Sequence, residues 1–180
     1  KMGDSPFMQK SWPVELQSKP DFDRAMQRID AWFAHAIIDR PPVRFSRHNA
    51  EYEILEDANQ WPDQQARWYD EEHQVERYLR QIENKTFHGE TFPVFWPNLG
   101  PNFFAGMFGC QLEFGDVTSW AEPILTDYAQ QVALDWESEY LRKIDAITSC
   151  ALERCENRFI VGYTDLHPGI DWLAALRGSE

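Results

Sequence analysis

Residues 92–114 read FPVFWPNLGPNFFAGMFGCQLEF, and the fold expected for the chain turns on them. The run Phe92 to Trp96 is strand-like, and it empties into Pro97-Asn98-Leu99-Gly100-Pro101. An apolar segment, Phe103 to Phe108, follows as a short helix. Gly109-Cys110 then leads into a second strand-like run that ends at Phe114. A strand end, a Pro/Gly-rich loop and a short helix in this order often line a pocket.

Upstream of this stretch, Ser18 and Pro20 supply a capping hydroxyl and a first-turn φ. Phe22, Met26, Ile29, Phe33 and Ile37 then recur on one helical face, which predicts a helix over 21–38. Asp39-Arg40-Pro41-Pro42 ends it, because a residue before proline avoids the helical region. Val43 to Ser46 is a strand, with Arg44, Arg47 and His48 in it or at its exit. Residues 49–62 read as a loop anchored by Tyr52, Ile54, Leu55 and Trp61. Trp68, Val75, Tyr78, Leu79 and Ile82 mark a second helix over 63–84, and Gly89 punctuates the chain after it.

Downstream, Gly115-Asp116 is a turn and 118–124 is extended, while 126–134 shows no decisive pattern. Trp136, Tyr140, Ile144, Ile147, Ala151 and Cys155 form a helical stripe over 135–156. The near-continuous apolar run Arg158 to Tyr163 reads as a strand buried on both faces. Thr164 to Gly169 is its exit loop, and a last helix runs from Ile170 to Arg177 before Gly178.

Residues 1–19 are expected to form an N-terminal arm and 20–180 a single α/β domain. Strands alternating with helices predict parallel strands joined by helical crossovers. Polar residues gather just after the expected strands, at the carboxyl edge where α/β folds place ligands. Asp165 and His167 are the sharpest pair. Two residues apart at a strand exit, both can reach one cavity, with the imidazole as acid or base near neutral pH and the carboxylate orienting it. Asn98 is placed to hydrogen-bond a substrate or to fix its own turn. Trp96 and Trp120 are candidate stacking walls, and Arg44 or Arg47 could clamp a carboxylate in bidentate fashion. The sequence carries no nucleophile elbow, no GxGxxG or GxxxxGK phosphate loop and no HExxH.

Composition bounds the function further. The chain of 180 residues is long enough for one real core, and 43% hydrophobic with 26% charged residues describes a globular chain. A net charge of -13 argues against binding a phosphate backbone or an anionic membrane. The three cysteines form no CxxC pair and read as buried thiols in a reducing cytoplasm, with no metal set in this chain. No run of about 18 apolar residues predicts a membrane span.

Two segments resemble the uroporphyrinogen decarboxylase superfamily. FPVFWPNLGP with Phe108-Gly-Cys-Gln-Leu-Glu-Phe114 is similar to the region of its second strand. Residues 158–178, RFIVGYTDLHPGIDWLAALRG, resemble a later strand-loop-helix, and IIDRPPV near residue 40 fits the superfamily's bacterial branch. The resemblance implies a TIM (β/α)8 barrel, of which a chain this short would be the N-terminal half. Such a half barrel should associate with a complementary half or second subunit. It implies a decarboxylase acting on a small or tetrapyrrole-like anionic substrate. Alternatives within the same resemblance are a zinc-dependent methyltransferase working with a corrinoid protein or a thiol, its zinc held in the C-terminal half, and a non-catalytic half-barrel subunit. The family's catalytic aspartate has no counterpart in Phe92 to Trp96, where Asn98 is the nearest polar group, and its arginine-rich N-terminal motif is absent.

Overall fold

Pro41 and Pro42 lie just before a strand, where the extended backbone suits the residues around them. In a computed structural model, which describes residues 6–48, 60–127 and 129–178, helix α1 (Phe22–Phe33) precedes them and strand β1 (Arg44–His48) follows. The later elements are α2 (Gln64–Trp68), α3 (Glu71–Glu83), β2 (Lys85–Gly89), β3 (Val94–Phe95), α4 (Phe103–Gly106), β4 (Leu112–Phe114), β5 (Ser119–Ala121), α5 (Glu139–Arg154), β6 (Ile160–Val161) and α6 (Ile170–Arg177). The expected anchors Tyr52, Ile54 and Leu55 lie outside the described residues.

The TIM barrel, whole or half, is not what these residues build. Their strands pair two by two, as β1 with β2, β3 with β6 and β4 with β5. The first and last of these pairs are antiparallel. The decisive element is β2. In the sequence, Lys85 to Gly89 only trails the predicted helix and ends in a punctuating glycine. In the structure it pairs along the whole of β1, from Arg44 opposite Gly89 to His48 opposite Lys85. An antiparallel neighbour needs no helical crossover, so the alternation of elements does not translate into a parallel sheet. The expected buried strand at 158–163 shrinks to Ile160–Val161, and Tyr163 is 98% exposed.

The chain divides into two compact units. Unit 1 takes the described residues within Lys1–Leu55, Arg77–Phe95 and Cys155–Ile160. Unit 2 takes those within Glu56–Glu76, Trp96–Arg154 and Val161–Glu180. In unit 1, Leu16, Phe22, Ala25, Leu79, Ile82, Phe95 and Phe159 are buried. Tyr78 meets Phe95 and Phe159 edge-on, each at 5.4 Å between ring centroids, and Phe22 meets Phe92 at 5.1 Å. Such pairs contribute about 0.5–1.5 kcal/mol each beyond the area they bury.

Unit 1 also holds a buried carboxylate. The Glu90 side chain is fully shielded and accepts hydrogen bonds from Arg28, Arg40 and the Val43 N–H at 2.6–3.0 Å. Arg28 reaches onward to Asp39 in bidentate fashion, and Arg24 joins the same carboxylate. This cluster ties the segment after α1 to the end of β2.

Unit 2 is built on the part of the quoted stretch from Trp96 onward. Leu99, Phe103, Ala105, Cys110 and Leu112 are buried, together with Tyr140, Ile144, Ile147 and Ala151 of α5 and Leu176 of α6. Helix α4 packs against α6 and β5. Trp172 of α6 closes an aromatic group with Phe104 and Phe108. The Tyr140 hydroxyl accepts the buried Leu112 N–H at 3.0 Å. Tyr140→Phe orphans that donor and is expected to lower stability by about 1–2 kcal/mol, read from a denaturant midpoint with unchanged slope.

The predicted helix over 63–84 starts where expected, because the Asp63 side chain accepts from the Ala66 N–H at 2.7 Å. It breaks at Tyr69-Asp70, where the Asp70 carboxylate takes the His73 N–H and the Trp61 indole N–H. Residues 135–138 stay outside α5, and Trp136 is 70% exposed rather than on its buried stripe.

Candidate functional site

The α6 N-terminus and the β4–β5 hairpin frame a cleft of about 380 Å³ within unit 2. Its walls include Pro101, Asn102, Trp120, Ala121, Pro123, His167, Asp171, Ala174, Ala175 and Gly178. Local rules place each polar member. Register in the hairpin sets Trp120 opposite Glu113, and the Gly115 N–H to Thr118 carbonyl bond at 2.9 Å closes the turn. A Cβ on Gly115 would sit 2.7 Å from the Trp120 ring, so only glycine lets the indole lie across that turn. The Asn102 amide donates to the Ser119 carbonyl at 3.3 Å, which anchors it beside β5.

His167 lies three residues before α6 begins. Its Nε2 is 3.2 Å from Asp165 Oδ2 and its Nδ1 is 3.8 Å from Asp171 Oδ2. Both are contacts that become ion pairs when the ring is protonated, the nearer one to Asp165. The two carboxylates therefore flank opposite nitrogens of one ring.

Of the residues singled out in the sequence, the structure brings together Asp165, His167 and Trp120. Asn98 does something else: its side-chain oxygen accepts the Gly100 N–H at 2.6 Å, the turn-fixing role. Trp96 is 60% exposed and, like Asn98, is not among the cleft residues. Arg44 and Arg47 belong to β1 of unit 1, where every residue of the strand is exposed. Asn102 and Asp171 join the site without having been singled out in the sequence. Asp171 was recoverable, because His167 and Asp171 stand in i,i+4 spacing across a helix start. Asn102 gave no signal beyond its place after Pro101.

Cys110 is buried beside α6, its thiol 3.9 Å from the Ala175 carbonyl. Burial pushes that thiol above its ordinary range, so it is a core side chain rather than a nucleophile. Among the described residues no group of three or more His, Cys, Asp or Glu is placed to hold a metal ion. Asp165 and Asp171 flank different nitrogens of His167 rather than converging with it on one point, so these three do not make a zinc ligand set. No helix among the described residues is long and apolar enough to cross a membrane. Comparison with family models, curated proteins and solved structures finds no match for the chain.

Proposed function

We propose that the cleft of unit 2 binds a small planar molecule bearing an N–H or hydroxyl donor, and that His167 exchanges a proton with it. The observation that carries this reading is the placement of His167. Its Nε2 lies 3.2 Å from Asp165 Oδ2 and its Nδ1 3.8 Å from Asp171 Oδ2, on the wall of a cleft shared with Trp120. In the tautomer with its proton on Nε2, facing Asp165, Nδ1 keeps its lone pair and accepts a hydrogen bond from the ligand. Asp165 orients the ring, and Asp171 faces the positive charge that forms. The exposed Trp120 face supplies stacking area. The described wall residues carry one carboxylate and no Lys or Arg, which disfavours a polyanion and leaves a single carboxylate on the ligand directed to solvent.

The resemblance to the uroporphyrinogen decarboxylase superfamily supports decarboxylation as the reaction class. In that case the bond from the ring carbon to the carboxylate breaks and CO2 leaves. The electron pair stays on carbon, and His167, having first taken a proton from solvent, delivers it to that carbon and returns to its neutral form.

Pyrrole and pyrrole-2-carboxylate are the probes, with ligand-observed NMR for binding and release of labelled CO2 for turnover. Pyrrole is expected to bind with a Kd on the order of millimolar, as its few heavy atoms allow. Trp120→Ala should weaken it about tenfold, the loss expected of one stacking face. His167→Ala should abolish CO2 release from the carboxylate. Binding that neither variant changes contradicts the site, and binding without CO2 release contradicts the reaction class alone.

A further inference from the structure

The β1–β2 ribbon of unit 1 departs from the charge of the chain around it. Register puts Arg44, Ser46, His48, Lys85 and Phe87 on one face and Phe45, Arg47, Thr86 and His88 on the other. Phe45 stacks on His88 with ring centroids 5.0 Å apart and planes at 14°. The strands hold Arg44, Arg47 and Lys85 as fixed cations and no acidic residue, in a protein of net charge -13. Elsewhere in the same unit, Arg24, Arg28 and Arg40 are all bound to Asp39 or Glu90. Among the described residues Arg44, Arg47 and Lys85 have no ion-pair partner. Neither strand has a second neighbour among the described residues, and β1 is exposed along its whole length.

We infer that this ribbon is a docking edge for an acidic peptide segment of another protein, which adds to β1 as a third strand. The open backbone groups of β1 supply main-chain hydrogen bonds, and alternating side chains supply selection. An added strand in which acidic and apolar residues alternate turns its carboxylates to the face of Arg44 and its apolar side chains to the face of the exposed Phe45 ring. A peptide suits the surface better than a nucleic acid. A strand of five residues spans about 17 Å, and screening confines its field to about 8 Å at physiological ionic strength. A short acidic segment stays inside that field, whereas a longer polyanion runs on over a surface of its own sign.

The test uses the full chain and three fluorescent probes of similar length: a Glu-Val repeat peptide, a Lys-Val repeat peptide and an oligo-dT strand. Anisotropy should show saturable binding of the Glu-Val peptide that weakens several-fold between about 50 and 200 mM salt, as loss of ionic contacts requires. The Lys-Val peptide should not bind, and oligo-dT should bind at least about tenfold more weakly than the Glu-Val peptide. The R44E/R47E variant should reduce Glu-Val binding at least tenfold, with backbone amide shifts in β1 marking the contact in the wild type. Absence of Glu-Val binding, equal binding of the two peptides, or tighter binding of oligo-dT overturns the inference. The wild-type comparisons stand even where the variant does not fold.

Discussion

Replacing Glu90 by alanine is expected to lower the unfolding free energy by about 3 kcal/mol, the lower end of what removing one partner from a buried ionic cluster costs. The side chain has no solvent exposure, and it satisfies Arg28, Arg40 and the Val43 N–H together. Its loss orphans a backbone donor and leaves two guanidinium groups without their shared acceptor. Arg40 is 38% exposed and regains water, which keeps the cost from the upper end of the range. Urea unfolding of the wild type and of E90A measures it.

The same cluster sets a pH dependence. Burial raises the Glu90 pKa, but the hydrogen bonds from Arg40, the Val43 N–H and Arg28 outweigh it and hold the carboxyl below its ordinary value. Asp39 is held well below the carboxylate range, chiefly by Arg28, against a smaller rise from burial and with help from Arg24. Both folded pKa values lie below the unfolded ones. The stabilisation is therefore complete above the unfolded carboxylate pKa of about 4 and is lost as pH falls from there through the folded values. Stability should drop between about pH 5 and pH 2, and less steeply in E90Q.

Gly100→Ala is the second large effect, at about 3 kcal/mol from strain and overpacking combined. Gly100 has φ +93, a conformation that an alanine adopts only with strain. Its added Cβ would also run into Ser119 Oγ and lie 2.8 Å from Ser119 Cβ. Ser119 is buried and donates to the Leu99 carbonyl at 2.7 Å, so it cannot step aside without losing that bond. The next residue on β5 is Trp120. G100A should therefore weaken pyrrole binding as well as stability, although Gly100 is not among the cleft residues. A Ser119→Gly change in the G100A background should recover the overpacking part and leave the strain, as a double-mutant cycle would resolve.

What the sequence disclosed follows from how local each signal is. The stripe Tyr140, Ile144, Ile147, Ala151 is buried as expected, and α6 spans Ile170–Arg177 before Gly178. These are periodic or punctuated features within a single element. Helix α1 departs from expectation in both face and length. The residues that bury are Phe22, Ala25 and Ala31, whereas Phe33 and Ile37 are 79% and 59% exposed. Large apolar residues define the predicted stripe, while close packing selects small ones. The helix stops at Phe33 because His35 turns left-handed at φ 56, with the Ala36 N–H to Ala31 carbonyl bond closing the end. Nothing in Ala34-His35-Ala36 announces such a stop.

The departure at the level of the fold has a different origin. Five residues at 85–89 alternate too briefly to be recognised as a strand without their partner, and that pairing removes the parallel sheet. Glu90 was invisible for a related reason, since its arginine partners are 50 and 62 residues away. The His167–Asp165 pair was legible because both members share one loop, and Trp120 because it stood between turn signals. Arg44 and Arg47 were singled out by their place at a strand end, and they sit on the exposed β1–β2 ribbon.

The most direct test of the proposed site is the ring nitrogen spectrum of His167 in the full chain, followed by two-bond 1H–15N correlation while pyrrole is added. Nδ1 should shift on binding while Nε2 keeps the signature of a proton shared with Asp165, and D165N should remove that asymmetry. A His167 spectrum unmoved at saturating pyrrole, with shifts confined to other residues, would contradict the site.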